Sequence, residues 1–119
     1  MNKPHKQLNV WKESKQLAID IYKFTSSFPK HEIFGLANQM NRAAVSVPSN
    51  IAEGAARNGQ KEFAHFLSIA HGSLSELDTQ IEIALEIGYI NKENASRLLN
   101  NIENISKMLT GLRKSLNNR

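Results

Sequence analysis

Apolar residues recur every three or four positions along most of this chain, a spacing that places them on one side of an α-helix. The first series predicts a helix from about residue 10 to about residue 25, with Asn9 as its N-cap. Its inward-facing stripe consists of Val10, Ser14, Leu17, Ile21 and Phe24. A second strip beside it, beyond what one bundle needs to bury, consists of Trp11, Ala18 and Tyr22.

The second series predicts a helix over about residues 32–54, with Pro48 inside it. Because a true break usually resets the phase of the apolar positions, we interpret Pro48 as a kink within one long helix; two abutting helices are the alternative. A turn is predicted between Gly54 and Gly59. The continuous apolar face consists of Ile33, Leu36, Met40, Ala44, Val47 and Ile51.

Two longer series predict helices over about residues 61–87 and 92–116, with Gly88 as a C-cap and Asn91 as an N-cap between them. Four long helices with short connections predict one domain over residues 1–119, an all-α, antiparallel up-and-down four-helix bundle. The third helix carries Phe63, Leu67, Ala70, Leu74, Leu77, Ile81 and Ala84, widened by Phe66, Ile69, Ile83 and Ile87. The fourth carries Leu98, Ile102, Ile105, Leu109, Leu112 and Leu116.

Composition narrows the class of protein. The 119 residues include 15 Lys and Arg against 11 Asp and Glu, and no cysteine, so disulfides and thiolate metal sites are excluded. No segment reaches the ~20 apolar residues that span a bilayer, and the opening residues lack the apolar run of a signal peptide. We therefore expect a cytoplasmic protein without membrane partners. The basic excess lies in the first half and permits attraction to a polyanion.

Patterns for catalysis are weak. Glu62 and His65 form a single Glu-x-x-His element, whereas a di-iron bundle needs a second copy and further glutamates. His71 and Ser73 lack the strand–turn–helix context of a nucleophile elbow. We expect a non-enzymatic protein with no catalytic residue, no metal and no cofactor.

A polar stripe lies opposite the apolar face of the second helix. Its simplest interpretation is a solvated surface with one Glu53–Arg57 ion pair. The alternatives are hydrogen bonds to another helix or another subunit, or contact with a ligand. The stripe falls within about 100° of the helix circumference. Its members are Arg42, Ser46, Ser49, Asn50, Glu53 and Arg57.

The chain resembles small four-helix bundle proteins encoded in intervening sequences of 23S ribosomal RNA genes. RAAVSVPSNIAEG at 42–54 and FLSIAHGSLSEL at 66–77 carry the resemblance, together with the opening LNVWKESKQLAIDIY at 8–22. It covers about residues 8–112 and implies an antiparallel four-helix bundle that assembles as a homopentameric ring. It also implies that the polar residues form a structural network between helices or subunits: Arg42, Ser46, Asn50, Glu53 and Glu76.

The chain is also similar to the accessory variability determinant protein of diversity-generating retroelements, a basic pentameric barrel that binds nucleic acid and a reverse transcriptase. The implied partners are other copies of the chain, RNA or DNA, and a protein such as a polymerase. Members of the intervening-sequence family often carry two adjacent basic residues where this chain has Asn41 and Arg42, so one charge per subunit is missing here.

The basic residues that could contact nucleic acid lie on the first helix, near the predicted turn and near the end of the fourth helix. Glu13 and Asp20 lie close to the first-helix lysines, so a mixed solvated surface is the alternative there. A five-fold ring would multiply each charge, and any binding should be directed at the phosphate backbone and sensitive to salt. The candidates are Lys12, Lys15, Lys23, Arg57, Lys61, Arg113 and Lys114.

Overall fold

The computed structural model describes residues 4–117, which contain four α-helices and no β-strand. The all-α, four-helix prediction is confirmed. Helices α1 and α3 each pack against both α2 and α4, and the four form one compact body. The bounds are Asn9–Thr25 for α1, Leu36–Ala55 for α2, Gln60–Glu86 for α3 and Lys92–Asn117 for α4, with short 3-10 helices at Pro4–Gln7 and Lys30–Glu32.

Side-chain hydrogen bonds fix the order and direction of the helices. The Thr25 hydroxyl at the end of α1 donates to the Asn41 side-chain oxygen, 2.8 Å away, near the start of α2. Further along, the hydroxyl oxygens of Ser46 on α2 and Ser73 on α3 are 2.8 Å apart. Because the connections are short, successive helices run antiparallel. The α2–α3 turn therefore lies at the same end of the bundle as the start of α1 and the end of α4.

The core is built from the inward-facing stripes of all four helices. Complete burial of one large aliphatic side chain contributes about 1.5–3 kcal/mol relative to exposure, so these stripes dominate the stability of the fold. The large side chains that are less than 2% exposed are Leu17, Ile21, Met40, Val47, Ile51, Leu67, Leu74, Leu77, Ile81, Leu98, Ile105 and Leu109.

Helix α2 begins at Leu36, later than the predicted start near residue 32. The Glu32 carboxylate accepts a hydrogen bond from the Leu36 amide at 2.9 Å, so Glu32 caps the helix from outside it. Ile33 is consequently outside α2 and 58% exposed, and its predicted place on the apolar face is wrong. Pro48 lies within α2, which continues without interruption to Ala55.

Gly54, predicted as the last residue of the second helix and the first of the turn, lies in the last turn of α2. It is buried against α3, and a Cβ atom there would lie 2.8 Å from the Phe66 Cβ and 3.2 Å from the Phe63 carbonyl oxygen. The connection is confined to residues 56–59, where Gly59 has a positive φ of 119°.

The remaining helix ends follow local capping chemistry. Gly88, with φ 87°, allows the amides of Gly88 and Tyr89 to donate to the carbonyls of Leu85 and Ala84, at 3.1 and 2.8 Å. The N-cap predicted at Asn91 is confirmed, since its side-chain oxygen accepts from the Asn94 amide at 2.8 Å.

Two further predictions are wrong, one about the N-cap of α1 and one about the apolar face of α3. Asn9 is the first residue of α1 rather than its cap, and Leu8 in the capping position forms no side-chain hydrogen bond. On α3, Ile69, Ile83 and Ile87 do not join the core and are 39%, 44% and 52% exposed. No helix within residues 4–117 has the length and hydrophobicity required to cross a membrane.

Candidate functional site

Four of the seven basic candidates lie at the end of the bundle that holds the α2–α3 connection and the end of α4, and Lys12 in the first turn of α1 lies at the same end. Arg57 is in the α2–α3 connection and Lys61 is in the first turn of α3, whereas Arg113 and Lys114 are close to the end of α4. We name this group, Arg57, Lys61, Arg113 and Lys114, the basic end.

The contact between His71 on α3 and Ser106 on α4 supports this placement. The His71 Nε2 atom and the Ser106 hydroxyl oxygen are 2.7 Å apart. Each residue lies roughly three turns, at 3.6 residues per turn, from the terminus of its helix at the basic end. The two helix termini are therefore at the same level along the bundle.

The residues of the basic end differ in the ion pairing and exposure of their charged groups. Arg57 is held by Glu53, with the Arg57 Nε 3.2 Å from the Glu53 Oε2, and its guanidinium carbon lies 5.0 Å from the centroid of the Phe66 ring. Arg113 is half-buried, whereas the side chains of Lys61 and Lys114 are exposed. Lys61 and Lys114 are therefore the members best placed to meet a polyanion.

Two of the three α1 lysines line a different surface. Lys15 and Lys23 border a groove between α1 and α2. Asp20 lies on the opposite flank of α1, in a cleft with Arg97 of α4, and accepts a hydrogen bond from Gln16 at 3.0 Å. Lys23 lines this cleft as well as the groove, so the acids and lysines of α1 are only partly separated. The fold does not bring all seven basic candidates together.

This α1–α2 groove has a volume of about 590 Å³. Ile19, Tyr22 and Val45 on its walls are 41%, 52% and 40% exposed. Tyr22 and Ala18 belong to the spare apolar strip of the sequence pattern, but Trp11 is half-buried and its ring contacts that of His5, with centroids 4.8 Å apart. The pattern missed Ile19 and Val45, because only the packing of α1 on α2 defines the groove. Its lining is Lys15, Ala18, Ile19, Tyr22, Lys23, Ser26, Val45 and Pro48.

The centre of the polar stripe on α2 contacts α3. The Asn50 side-chain amide donates to the Ser46 carbonyl at 2.8 Å and to the Ser46 hydroxyl oxygen at 2.9 Å. Because Asn50 acts as the donor, the Ser46 hydroxyl proton can be given to Ser73, 2.8 Å away. All three side chains are half-buried, so this chain of hydrogen bonds joins two helices of the same subunit.

The rest of the stripe is solvated. Arg42 and Glu76 are exposed and line a crevice of about 370 Å³ between α2 and α3, together with Ser46 and Ser73. Glu53 is exposed and pairs along its own helix with Arg57. The stripe therefore combines a network between helices at its centre with exposed charges at its ends.

The opposite end of the bundle contains a second polar cluster that the sequence pattern did not reveal. The Glu32 carboxylate accepts hydrogen bonds from the Leu36 amide at 2.9 Å and from the Tyr89 hydroxyl at 2.8 Å, and both contacts lower the pKa of Glu32. The same bond raises the pKa of Tyr89, because the neutral phenol is the donor. This cluster ties the α1–α2 connection to the α3–α4 connection, and its role is structural.

The residues with metal-ligand chemistry are dispersed. Glu62 and His65 are both exposed, and the His65 ring contacts that of Phe66, with centroids 5.6 Å apart. Within residues 4–117, no three or more His, Asp or Glu side chains are grouped closely enough to hold a metal ion.

Comparison with known proteins identifies relatives of the chain. Residues 6–111 match the family model described as 23S rRNA-intervening sequence protein. A crystal structure of a protein of unknown function from the S23 ribosomal protein family of Bacteroides thetaiotaomicron is similar, with a TM-score of 0.80 and 26% sequence identity. The match covers 88% of this chain and 98% of that chain. No curated protein is significantly similar to this chain.

Proposed function

Because the chain belongs to the family of 23S rRNA-intervening sequence proteins, we propose that it is a non-enzymatic protein that forms a homopentameric ring and binds the phosphate backbone of RNA or DNA. The observation that carries this proposal is the basic end, where the topology collects four cationic side chains from three segments of the chain. Five copies around a ring would place these charges along one rim and focus a field that a single subunit does not produce.

The chemistry of the basic end favours contact with phosphates over recognition of bases. Lys61 and Lys114 offer mobile ammonium groups, which act as point charges. Aromatic groups for stacking are scarce there, since Phe63 and Phe66 on α3 are half-buried beside Gly54 of α2. The expected binding therefore depends on counterion release and is insensitive to sequence.

The test is a salt titration on protein of known assembly state. Light scattering should first give a mass five times that of the 13.4 kDa chain. Binding of a labelled single-stranded RNA, a duplex RNA and a duplex DNA is then measured between low and moderate salt. We expect log affinity to fall linearly with log salt concentration. Absent or salt-independent binding by the assembled ring would contradict the proposal.

Matched lysine variants locate the binding surface. Lys61→Gln and Lys114→Gln should each weaken binding and reduce the salt slope by roughly 0.7–0.9 for every phosphate that the variant no longer neutralises. Lys92→Gln is the control, because Lys92 is exposed at the opposite end of the bundle. Equal weakening by all three variants would indicate a diffuse charge effect rather than a site at the basic end.

The family resemblance also supports a bend in α2. Pro48 has no amide hydrogen and cannot donate to the Ala44 carbonyl, which removes one helix hydrogen bond. Its ring lines the α1–α2 groove, so we propose that a bend there shapes the groove wall. An experimental structure of Pro48→Ala should show a straighter α2 and a narrower groove.

The second candidate function is a scaffold that docks a protein partner such as a polymerase or reverse transcriptase. The observation that favours it is Phe34, whose side chain is 92% exposed beside the 58% exposed Ile33 at the end opposite the basic end. A partner that binds the wild type but not Phe34→Ser would support this function. Equal retention by both proteins would remove it.

A further inference from the structure

Two apolar surfaces of the subunit remain uncovered by its own helices. One is the α1–α2 groove, with exposed Ile19, Tyr22 and Val45. The other runs along α3 and is the α3 strip: Ile69, Glu76, Ile83 and Ile87. Single exposed aliphatic residues are ordinary, but aligned sets of them on two helical surfaces mark places where another chain packs.

The α3 strip has the geometry of a helix–helix contact. Ile69, Glu76 and Ile83 follow one another at intervals of seven residues and drift only about 20° per interval around the helix. At 1.5 Å per residue, the strip extends roughly 21 Å from Ile69 to Ile83. Gly72 is exposed beside it, and the space that a Cβ atom would occupy there is open. A neighbouring helix can therefore approach the α3 backbone closely at this point.

The charges of the two surfaces are opposite. The α1–α2 groove is flanked by Lys15 and Lys23, and none of the residues described as lining it is acidic. Helix α3 carries one lysine and five acids. Glu76 lies within the strip and shares a crevice with Arg42 of α2, whereas Asp78 and Glu82 line the separate cleft between α3 and α4. Apolar contacts combined with opposite charges, Glu76 on the strip and the lysines beside the groove, favour one docked orientation and speed association. The five acids are Glu62, Glu76, Asp78, Glu82 and Glu86.

We infer that the α3 strip of one copy of this chain packs into the α1–α2 groove of the next copy, with Glu76 facing Lys15 and Lys23. Both complementary surfaces belong to the same chain, so no further kind of molecule is required to cover them. Because the surfaces differ, the contact is head-to-tail, and such contacts form a ring when the rotation from one copy to the next closes. The inference rests on the ring of the proposed function and names the interface that builds it.

The interface divides the basic candidates by role. Lys15 and Lys23 become covered between copies and serve assembly, so they are no longer available to nucleic acid. The basic end lies outside both surfaces and remains free to bind. Replacement of the groove lysines should therefore change the mass of the assembly before it changes the binding of phosphates.

Two single variants test the pairing, each disabling one surface. Ile19→Glu places an acid in the groove, where it repels Glu76 of the incoming strip, and Ile83→Lys places a cation on the strip, where it repels the groove lysines. Each variant alone should lose the wild-type assembly and scatter light as a single 13.4 kDa chain. Mixed in equal amounts, they should associate again into particles of two or more chains, because one intact groove meets one intact strip and the altered groove and strip carry opposite charges.

Circular dichroism of each variant confirms folding, and Phe34→Ser is the control, since Phe34 is exposed but lies on neither surface. If Ile19→Glu loses helical signal, the double variant Lys15→Glu/Lys23→Glu replaces it at exposed positions. Two outcomes would overturn this interface but not the ring. In the first, the wild type forms a ring and both surface variants retain its mass. In the second, the variants dissociate but do not associate when mixed. A wild type that stays a single chain would overturn the ring and the interface together.

Discussion

At the scale of single residues, Gly54 has the clearest physical requirement. It lies at a close approach of α2 to α3, where the Phe63 carbonyl and the Phe66 side chain occupy the space that a Cβ atom would need. Neither neighbour can move without shifting the α3 backbone. Gly72 on α3 is the contrasting case, since it is exposed and has open space around its missing side chain.

We expect Gly54→Ala to destabilise the fold by about 1–3 kcal/mol, because a methyl group overpacks a tight helix contact. Gly72→Ala should instead raise the free energy of unfolding by about 0.4–1 kcal/mol, since alanine restricts the unfolded chain and fits the helix. Urea denaturation followed by circular dichroism measures both changes, on protein diluted until it no longer assembles. Equal effects of the two substitutions would contradict the close-approach explanation.

At the scale of elements, the α1–α2 connection is held by a single carboxylate. Glu32 caps α2 through the Leu36 amide and accepts the Tyr89 hydroxyl from the α3–α4 connection, while Phe28 packs against the Tyr89 ring with centroids 5.0 Å apart. His31 lies close by, with its Nε2 3.6 Å from the Glu32 carboxylate, but is largely exposed. One ionised group therefore joins both connections at this end of the bundle.

The lowered pKa of Glu32 predicts acid sensitivity of the fold. The carboxylate contributes stability above the pKa of an unfolded glutamate, about 4.3, and that contribution disappears as the pH falls through the lower pKa of the folded state. The melting temperature of the wild type should therefore fall more steeply from pH 6 to pH 3 than that of Glu32→Gln. Glu13→Gln, at an exposed position on α1, is the control and should retain the wild-type slope. Parallel curves for Glu32→Gln and the wild type would contradict the role of Glu32.

The raised pKa of Tyr89 acts in the opposite range. Its neutral phenol is favoured in the folded state, so its contribution is present below pH 10 and is lost as the pH rises above that value. Between these limits the cluster of Glu32 and Tyr89 is fully formed.

The spacing of apolar residues predicted the bounds of most helices. It gave a wrong bound where a side chain outside the helix determines where the helix begins. The predicted bounds of α1, α3 and α4 lie within about one residue of those in the fold, as expected for long amphipathic segments. The start of α2 was misplaced because Glu32 caps it across a short 3-10 turn, an interaction without periodicity. The sequence pattern assigned Ile69 and Ile83 to the core because exposed apolar residues on the flank of a helix have the same spacing as buried ones.

At the scale of the whole molecule, topology supplies what the pattern lacked. Sequence reasoning selected the seven basic candidates by residue type, but it could not separate the basic end from the groove lysines, because antiparallel packing brings residues 57 and 114 to one level. It also left open whether Ser46 and Asn50 meet solvent or another helix, and the bond to Ser73 assigns them to the contact between α2 and α3.

Assembly should be visible in the thermal stability of the whole molecule. If copies of the folded chain bind one another and unfolded chains do not, the apparent melting temperature rises with protein concentration. We expect this rise for the wild type and a flat profile for Ile83→Lys over the same range, both measured by circular dichroism. A concentration-independent wild-type profile would count against self-association.

The two ends of the elongated bundle are too far apart for charges at one end to affect the other. The molecule is 46 Å long, whereas charges in physiological salt are screened over about 8 Å, so a polyanion held beside Lys61 exerts almost no field at Phe34. Direct electrostatic coupling between ligands at the two ends would therefore be negligible. The helices would hold two such ligands apart by at most the length of the body, about fourteen base-pair steps at 3.4 Å per step.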